Sequence, residues 1–330
     1  MTRSGTDPII NARDAHRADP VTGIIYNPRS HRNRGQDLDI AARRNVHVAQ
    51  PRTRDEITEA LRSFRGKGVT YLVVNGGDGT VRDVLTCGLA VFGADWPEMA
   101  VLPKGKTNAL NVDLGAPRGW TVTAALDDHA TARRVVRSPL VIRPCEGNGP
   151  VRAGFIMGAG AYALGVQAGQ DAHRMGAFDS VAVAVTTAWG IGQLIFGRRG
   201  NRWRQGARMT VKLGREGTAL PHSGHGERDR RSILMASTLQ KFPSGLKLFG
   251  DLTDTLKLTV LDYPRRRLTA MLPAILYGLG PRELSARGMH LVGTERFELD
   301  IEDTYILDGE AFPGGRFVVE SGPPIRFVVP

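Results

Sequence analysis

Cysteine is scarce: Cys87 and Cys145 are the two in 330 residues. Two thiols build no disulfide framework, and neither has the CxxC or Cys/His neighbours that a structural zinc site requires, so a reducing compartment fits. Long apolar runs are missing too. The two longest uncharged stretches, residues 153–170 and 180–197, have 18 residues each and are interrupted by glycine, threonine or glutamine. That predicts buried core in preference to a bilayer-spanning helix. There is no internal repeat, no basic tail and no apolar leader segment; residues 1–20 carry charges throughout and are expected to be a disordered lead. His222 and His225, in a polar turn-rich loop at 215–231, lack carboxylate or cysteine partners at ligand spacing, which argues against a metal there.

What is present is enough for sizeable cores. Hydrophobic residues make up 41% and charged residues 23%, with a mean hydropathy of -0.21, which predicts a soluble globular chain. At 330 residues, two domains are expected. The net charge of +11 is spread evenly along the chain and implies attraction to something anionic: nucleotide, nucleic acid or an acidic membrane face. Charge alone does not choose among them.

From residue 21 short apolar runs alternate with helical periodicity. Residues 21–26, 46–49, 71–74 and 100–102 read as buried strands, and residues 53–65 and 81–92 repeat apolar side chains at helical spacing. Strands alternating with helices imply a parallel sheet with covering helices over 21–137. Beyond about residue 138 the texture changes to β-rich runs at 140–143, 209–213, 232–237, 256–261, 289–292, 297–301 and 316–320. A single helix is expected around 175–196. Strands without regular helices between them predict a β-sandwich-like second domain over 138–330, whose last strand could return to the first.

The strongest chemical signal is Val73-Val74-Asn75-Gly76-Gly77-Asp78-Gly79-Thr80-Val81, a glycine-rich turn between a predicted strand and a predicted helix. Glycines let backbone approach a ligand closely, and amides at a helix start attract phosphate. The alternative is an ordinary turn in which Asp78 or Thr80 caps the helix. A carboxylate inside such a loop points instead to magnesium or hydroxyl handling.

At Gly-Gly-Asp-Gly-Thr the sequence begins to resemble the diacylglycerol kinase catalytic family, with its sphingosine and ceramide kinase relatives; NAD kinases share this loop. Asn27-Pro28-Arg29-Ser30 resembles the family's first loop, Thr53 stands where members carry a nucleotide-contacting threonine, and Pro103-Lys104-Gly105-Lys106-Thr107-Asn108 is similar to the Pro-x-Gly-Thr-x-Asn segment. Asp308-Gly309-Glu310 resembles the Asp-Gly-Glu signature of lipid kinases. Departures are His31 for a loop glycine, Lys106 for a threonine, Ala109 for an aspartate and Thr255 for a glycine.

The resemblance implies an α/β nucleotide domain followed by a β-sandwich, with the site in the cleft between them. It implies ATP and Mg2+ as cofactors and transfer of the γ-phosphoryl group to the hydroxyl of a membrane lipid, diacylglycerol or a ceramide-type sphingolipid. Nucleotide contacts are expected from Asn27, Pro28, Ser30, Thr53, Gly76, Gly77, Asp78, Gly79, Thr80, Val81, Arg82, Gly105, Lys106, Thr107 and Asn108. Glu310 is the expected proton acceptor, with Asp308 orienting it or the metal and Asp78 the rival base. A structural magnesium is expected on the Asp254 carboxylate and the carbonyls of Asp251 and Leu256. The basic and apolar stretches at 193–204 and 265–279 fit an anionic membrane surface, so peripheral attachment at the inner face, without nucleic acid, is expected. The competing readings are an NAD kinase and a non-catalytic nucleotide-binding regulator; the oligomeric state is left open.

Overall fold

The computed structural model describes residues 19–30, 33, 43, 45–174, 201–281 and 283–330. His31, most of the expected lead, the helix expected around 175–196 and Arg198 and Arg199 lie outside the described residues. The chain forms two compact units, one made of residues to Pro139 together with Pro323–Pro330, the other of Leu140–Gly322.

In the first unit β1 (Thr22–Tyr26), β2 (Val46–Ala49), β3 (Tyr71–Gly76) and β4 (Glu98–Pro103) pair in parallel in the order β2-β1-β3-β4. β1 and β3 are buried at every position, as expected of parallel strands covered on both faces. On one face lie α1 (Arg54–Gly66) and α2 (Asp78–Phe92), packed on each other. α1 turns Ile57, Leu61 and Phe64 inward, and Phe64 rests on Gly23, where a Cβ would come within 2.6 Å of the ring. Trp120, with Val122 and Ala125 of α4 (Val122–Asp127), covers Ile24, Tyr71, Val73, Ala100 and Leu102 on the other face, and α3 (Ala109–Leu114) precedes it. Tyr71 Oη donates to the Ala125 carbonyl at 3.0 Å. The final strand of the chain, β19 (Ile325–Val329), joins this sheet between β4 and β5 (Arg133–Arg137).

The second unit holds two antiparallel sheets. One has the order β10-β9-β15-β18-β6-β7, with β11 also on β9; the other runs β14-β13-β12-β8-β16-β17. The first is built from β6 (Leu140–Pro144), β7 (Arg152–Gly154), β9 (Ala207–Leu213), β10 (Thr218–Ala219), β11 (Arg230–Arg231), β15 (Arg296–Ile301) and β18 (Gly315–Ser321). The second is built from β8 (Ile156–Gly160), β12 (Ile233–Ser237), β13 (Leu256–Leu261), β14 (Met289–Thr294), β16 (Tyr305–Leu307) and β17 (Glu310–Phe312). Alternate residues of both sheets meet in one core, with Val211, Phe297, Leu299 and Val319 from one side and Met157, Leu234, Leu258 and Tyr305 from the other. The expected sandwich is therefore present.

The uncharged stretch 153–170 divides into β7, β8 and the first part of α5 (Ala161–Arg174), with Gly158 leaving room for the Tyr162 ring. The apolar run from Leu268 lies on α6 (Arg266–Leu276), which buries Leu268 and Ile275 against Leu261 and Met289. Among the described residues no helix is long and apolar enough to cross a membrane. In the polar loop, His222 Nδ1 accepts from the Gly224 amide at 2.9 Å and His225 lies 2.8 Å from Arg265 Nη1.

Candidate functional site

Parallel pairing sends the carboxyl ends of β1, β3 and β4 the same way, so the loops at 27–30, 76–80 and 104–108 gather. The chain leaves β1 toward β2 on one side and returns to β3 on the other. The crevice between the ends of β1 and β3 is thus the topological switch point, where open α/β sheets bind ligands. Side chains tie these loops together there. Asn27 Nδ2 donates to Thr80 Oγ1 at 2.8 Å, and the Gly77 amide donates to Ser30 Oγ at 3.2 Å. Asn33, which no sequence motif marks, donates to the carbonyls of Asn27 at 2.8 Å and Asn75 at 3.1 Å. Its signal is long-range, and no local motif contains it.

The glycines serve close approach. A Cβ on Gly77 would stand 3.0 Å from Gly105 Cα, and one on Gly105 would stand 3.0 Å from Gly77 Cα and 3.2 Å from the Asp78 nitrogen. Two loop backbones are therefore in contact where only glycine fits. Gly77 is also the N-cap of α2 and brings no side chain over the first amides of that helix. Uncapped amides at the positive end of a 15-residue helix suit an anion such as phosphate.

Asp78 holds the third loop. Its Oδ2 accepts from the Asn108 amide at 2.9 Å and its Oδ1 from the Ala109 amide at 3.2 Å, so the carboxylate caps the start of α3. Asn108 has a left-handed backbone (φ 50°), and its side chain bonds both ways with Gly105, at 2.8 Å each. Burial pushes the Asp78 carboxyl above the ordinary carboxylate range, against the opposing hydrogen bonds of Asn108 and Ala109. With both oxygens engaged by amides, Asp78 is a clamp between loops, which weakens its standing as a base. Lys106 and Thr107 are exposed at the loop tip, as is Pro28 in the first loop.

Four expected contacts have other local places. Thr53 is the N-cap of α1, its Oγ1 accepting from the Glu56 amide at 3.2 Å while Glu56 Oε2 accepts from the Arg52 amide at 2.7 Å. The Thr-x-x-Glu spacing of a capping box was legible in the sequence. Arg82 is buried and bonds Asp83 at 3.1 Å, and Asp83 also accepts from Arg54 Nε at 2.9 Å. Val81 is a core residue of α2, and Gly79 lies in its first turn.

In the second unit, Leu307 pairs with Glu310, leaving Asp308 and Gly309 as a two-residue hairpin turn with φ 44° and 82°. Positive φ at both positions is the signature of a type I′ turn, for which Asp-Gly is a preferred pair. The Asp308 carboxylate accepts from the Phe155 amide at 3.0 and 3.1 Å and from the Ile156 amide at 2.9 Å, which fastens the turn to β8. It overlies Gly154, where a Cβ would collide with it. Burial, with the Asp308 charge adding to it, pushes the Tyr162 phenol up to about 12. Glu310 begins β17 and is half-buried.

The expected metal donors are the Asp254 carboxylate and the main-chain carbonyls of Asp251 and Leu256. The Asp251 side chain is exposed and pairs with Lys247 at 2.9 Å. Leu256 is buried in β13, and the Asp254 carbonyl accepts from the Lys257 ammonium at 2.9 Å. Among the described residues no group of three His, Cys, Asp or Glu side chains could hold a metal ion.

Comparison with known proteins bears on these loops. Residues 22–137 match the model of the diacylglycerol kinase catalytic domain. No functionally curated protein sequence matches the chain. A crystal structure of a diacylglycerol kinase from Bacillus anthracis str. Sterne superposes with a TM-score of 0.58 at 15% identity, covering 94% of this chain and 96% of that one. A second crystal structure from the same organism, given that enzyme name provisionally, covers the same shares with a TM-score of 0.61 at 15% identity. Likeness at this identity establishes the shared fold.

Proposed function

Because residues 22–137 match the model of the diacylglycerol kinase catalytic domain, we propose that the chain is an ATP- and magnesium-dependent lipid kinase. It transfers the γ-phosphoryl group to the hydroxyl of a membrane lipid of the diacylglycerol or ceramide type. The observation that carries this reading is the cradle in which Gly77 and Gly105 meet below the uncapped start of α2. Phosphoryl transfer is catalysed chiefly by positioning and charge stabilisation, and such a cradle supplies both. The α2 amides receive phosphate oxygens, Asn27 and Ser30 keep the first loop against the second, and Asp78 keeps the third loop in place. Exposed Lys106 adds a positive charge. Magnesium, which binds phosphate oxygens, water and one or two carboxylates, has Asp78 beside the cradle and neutralises phosphate charge when bound.

Glu310 takes the proton of the acceptor hydroxyl in this proposal. Asp308 is fully occupied in setting the turn, so its role is to position Glu310. Attachment to the membrane is peripheral, at the inner face. Arg265, Arg266 and Arg267 are exposed at the start of α6, and Tyr277 and Leu279 beyond its end are 56% and 78% exposed. Cations and unburied apolar side chains on one short element suit an anionic bilayer.

The test is transfer of radiolabel from γ-labelled ATP in the presence of mixed vesicles containing diacylglycerol or ceramide, beside soluble NAD. Label entering a lipid product supports the proposal. Label in NADP assigns an NAD kinase, and nucleotide binding without any transfer assigns a regulator. Co-sedimentation with anionic vesicles falls as salt rises if attachment is peripheral and electrostatic.

A further inference from the structure

The first loop carries a polar side chain at every third residue, Asn27, Ser30 and Asn33. Its backbone turns in the same step, the Ser30 amide donating to the Asn27 carbonyl at 3.2 Å and the Asn33 amide to the Ser30 carbonyl at 2.9 Å. Residues three apart in such turns share a face. All three side chains reach the end of β3 or the loop that follows it: Asn27 meets Thr80, Ser30 meets the Gly77 amide, and Asn33 meets the Asn75 carbonyl. That carbonyl also accepts from the Asn27 amide at 3.0 Å, so main chain and side chain of the first loop converge on one oxygen.

Asn33 gives both of its side-chain amide protons to main-chain oxygens, those of Asn27 and Asn75, beside the ends of β1 and β3. Two carbonyls on one nitrogen fix which way the amide group faces. Its Oδ1 is buried and has no partner among the described residues. An acceptor left unmet in a buried place costs stability, so what this residue contributes lies in its two donors. They join the two walls of the switch-point crevice. We propose that Asn33 is a positioning residue of the nucleotide site. By folding the first loop back on the end of β3, it sets Asn27 and Ser30 against Thr80 and Gly77 before a nucleotide arrives, and binding then does not have to order the loop. The inference deepens the proposed function and rests on its nucleotide loops, whatever the acceptor of the phosphoryl group.

Calorimetric titration of MgATP into the full chain tests it, with Asn33→Ala, Ser30→Ala and the double variant beside wild type. Thermal unfolding without nucleotide is the second readout. Asn33→Ala is expected to lose about tenfold in affinity, with the Tm lowered by no more than about a few degrees. Ser30→Ala should weaken binding in the wild-type background and add little in the Asn33→Ala background, where the loop that presents Ser30 is already free. A purely structural Asn33 lowers the Tm and leaves ATP affinity alone, which overturns the proposal, as do losses from the two substitutions that simply multiply. If Asn33→Ala does not fold, Asn33→Ser, which keeps one donor, takes the same measurements. A wild-type chain that binds no MgATP overturns the nucleotide site and this proposal together, whereas wild-type binding with unaltered affinity in Asn33→Ala overturns the proposal alone.

Discussion

Asp78 in the parallel-sheet unit and Asp308 in the sandwich use one device in two settings. Each accepts hydrogen bonds from two successive backbone amides far away in sequence, Asn108 and Ala109 in one case, Phe155 and Ile156 in the other. Asp78 opens a helix behind a glycine pair and joins two loops that face the candidate phosphate cradle. Asp308 sits in a positive-φ hairpin turn and joins that turn to a neighbouring strand. The difference teaches that an acid in a signature motif need not be the reacting group. In both units the aspartate holds a loop in place, and in the proposed reaction the chemistry falls to what the loop presents: helix amides in the first unit, Glu310 in the second.

The largest expected effect separates presenter from clamp. Glu310→Gln should lower single-turnover phosphoryl transfer at least about a hundredfold, the low end for a positioned base, while leaving nucleotide affinity and Tm unchanged. A full rate in that variant would move the proton to another carboxylate. Next comes Asp78→Asn, which sets an amide nitrogen against an amide donor and frees the third loop. Nucleotide affinity measured by calorimetry should fall by about tenfold, equivalent to roughly 1.4 kcal/mol, within the range for a lost charged hydrogen bond. Asp308→Asn makes the same exchange in the other unit and should cost about 1 to 3 kcal/mol in denaturant stability with nucleotide affinity intact. If both variants lose affinity equally, the two clamps are not the separate devices described.

Acid sharpens the comparison further. Burial alone would raise the Glu98 carboxyl, but hydrogen bonds from His129 and Arg134, together with the Arg134 charge, hold it at about 2. Its ordinary value of 4.5 applies in the unfolded chain, so its contribution is whole above that pH and is lost as pH falls from 4.5 through about 2. Asp262 of the second unit is likewise held well below the ordinary range despite its burial, by His290, Ser223 and Arg231. Urea unfolding as a function of pH should show stability falling with acid, and Glu98→Gln should flatten that limb. The smallest effect is Lys106→Ala. An exposed loop cation should change the Michaelis constant for ATP by a fewfold with little change in maximal rate.

The sequence by itself determined many of the strands and helices and the place of the glycine-rich loop. Strands such as residues 71–74 and 256–261 are short apolar runs bounded by turn residues, and the glycines at 76, 77 and 79 mark a strand-to-helix turn, because these are local patterns with local causes. Thr53 was also legible, as half of a capping box, and the motif resemblance gave it a different role. What only the tertiary structure decided is which oxygen meets which donor. Asp78 reaches amides 30 residues away, and Asp308 reaches amides about 150 residues away. Such pairings are set by sheet order and by the space left when strands pack, and a short buried side chain must take the partner that space provides.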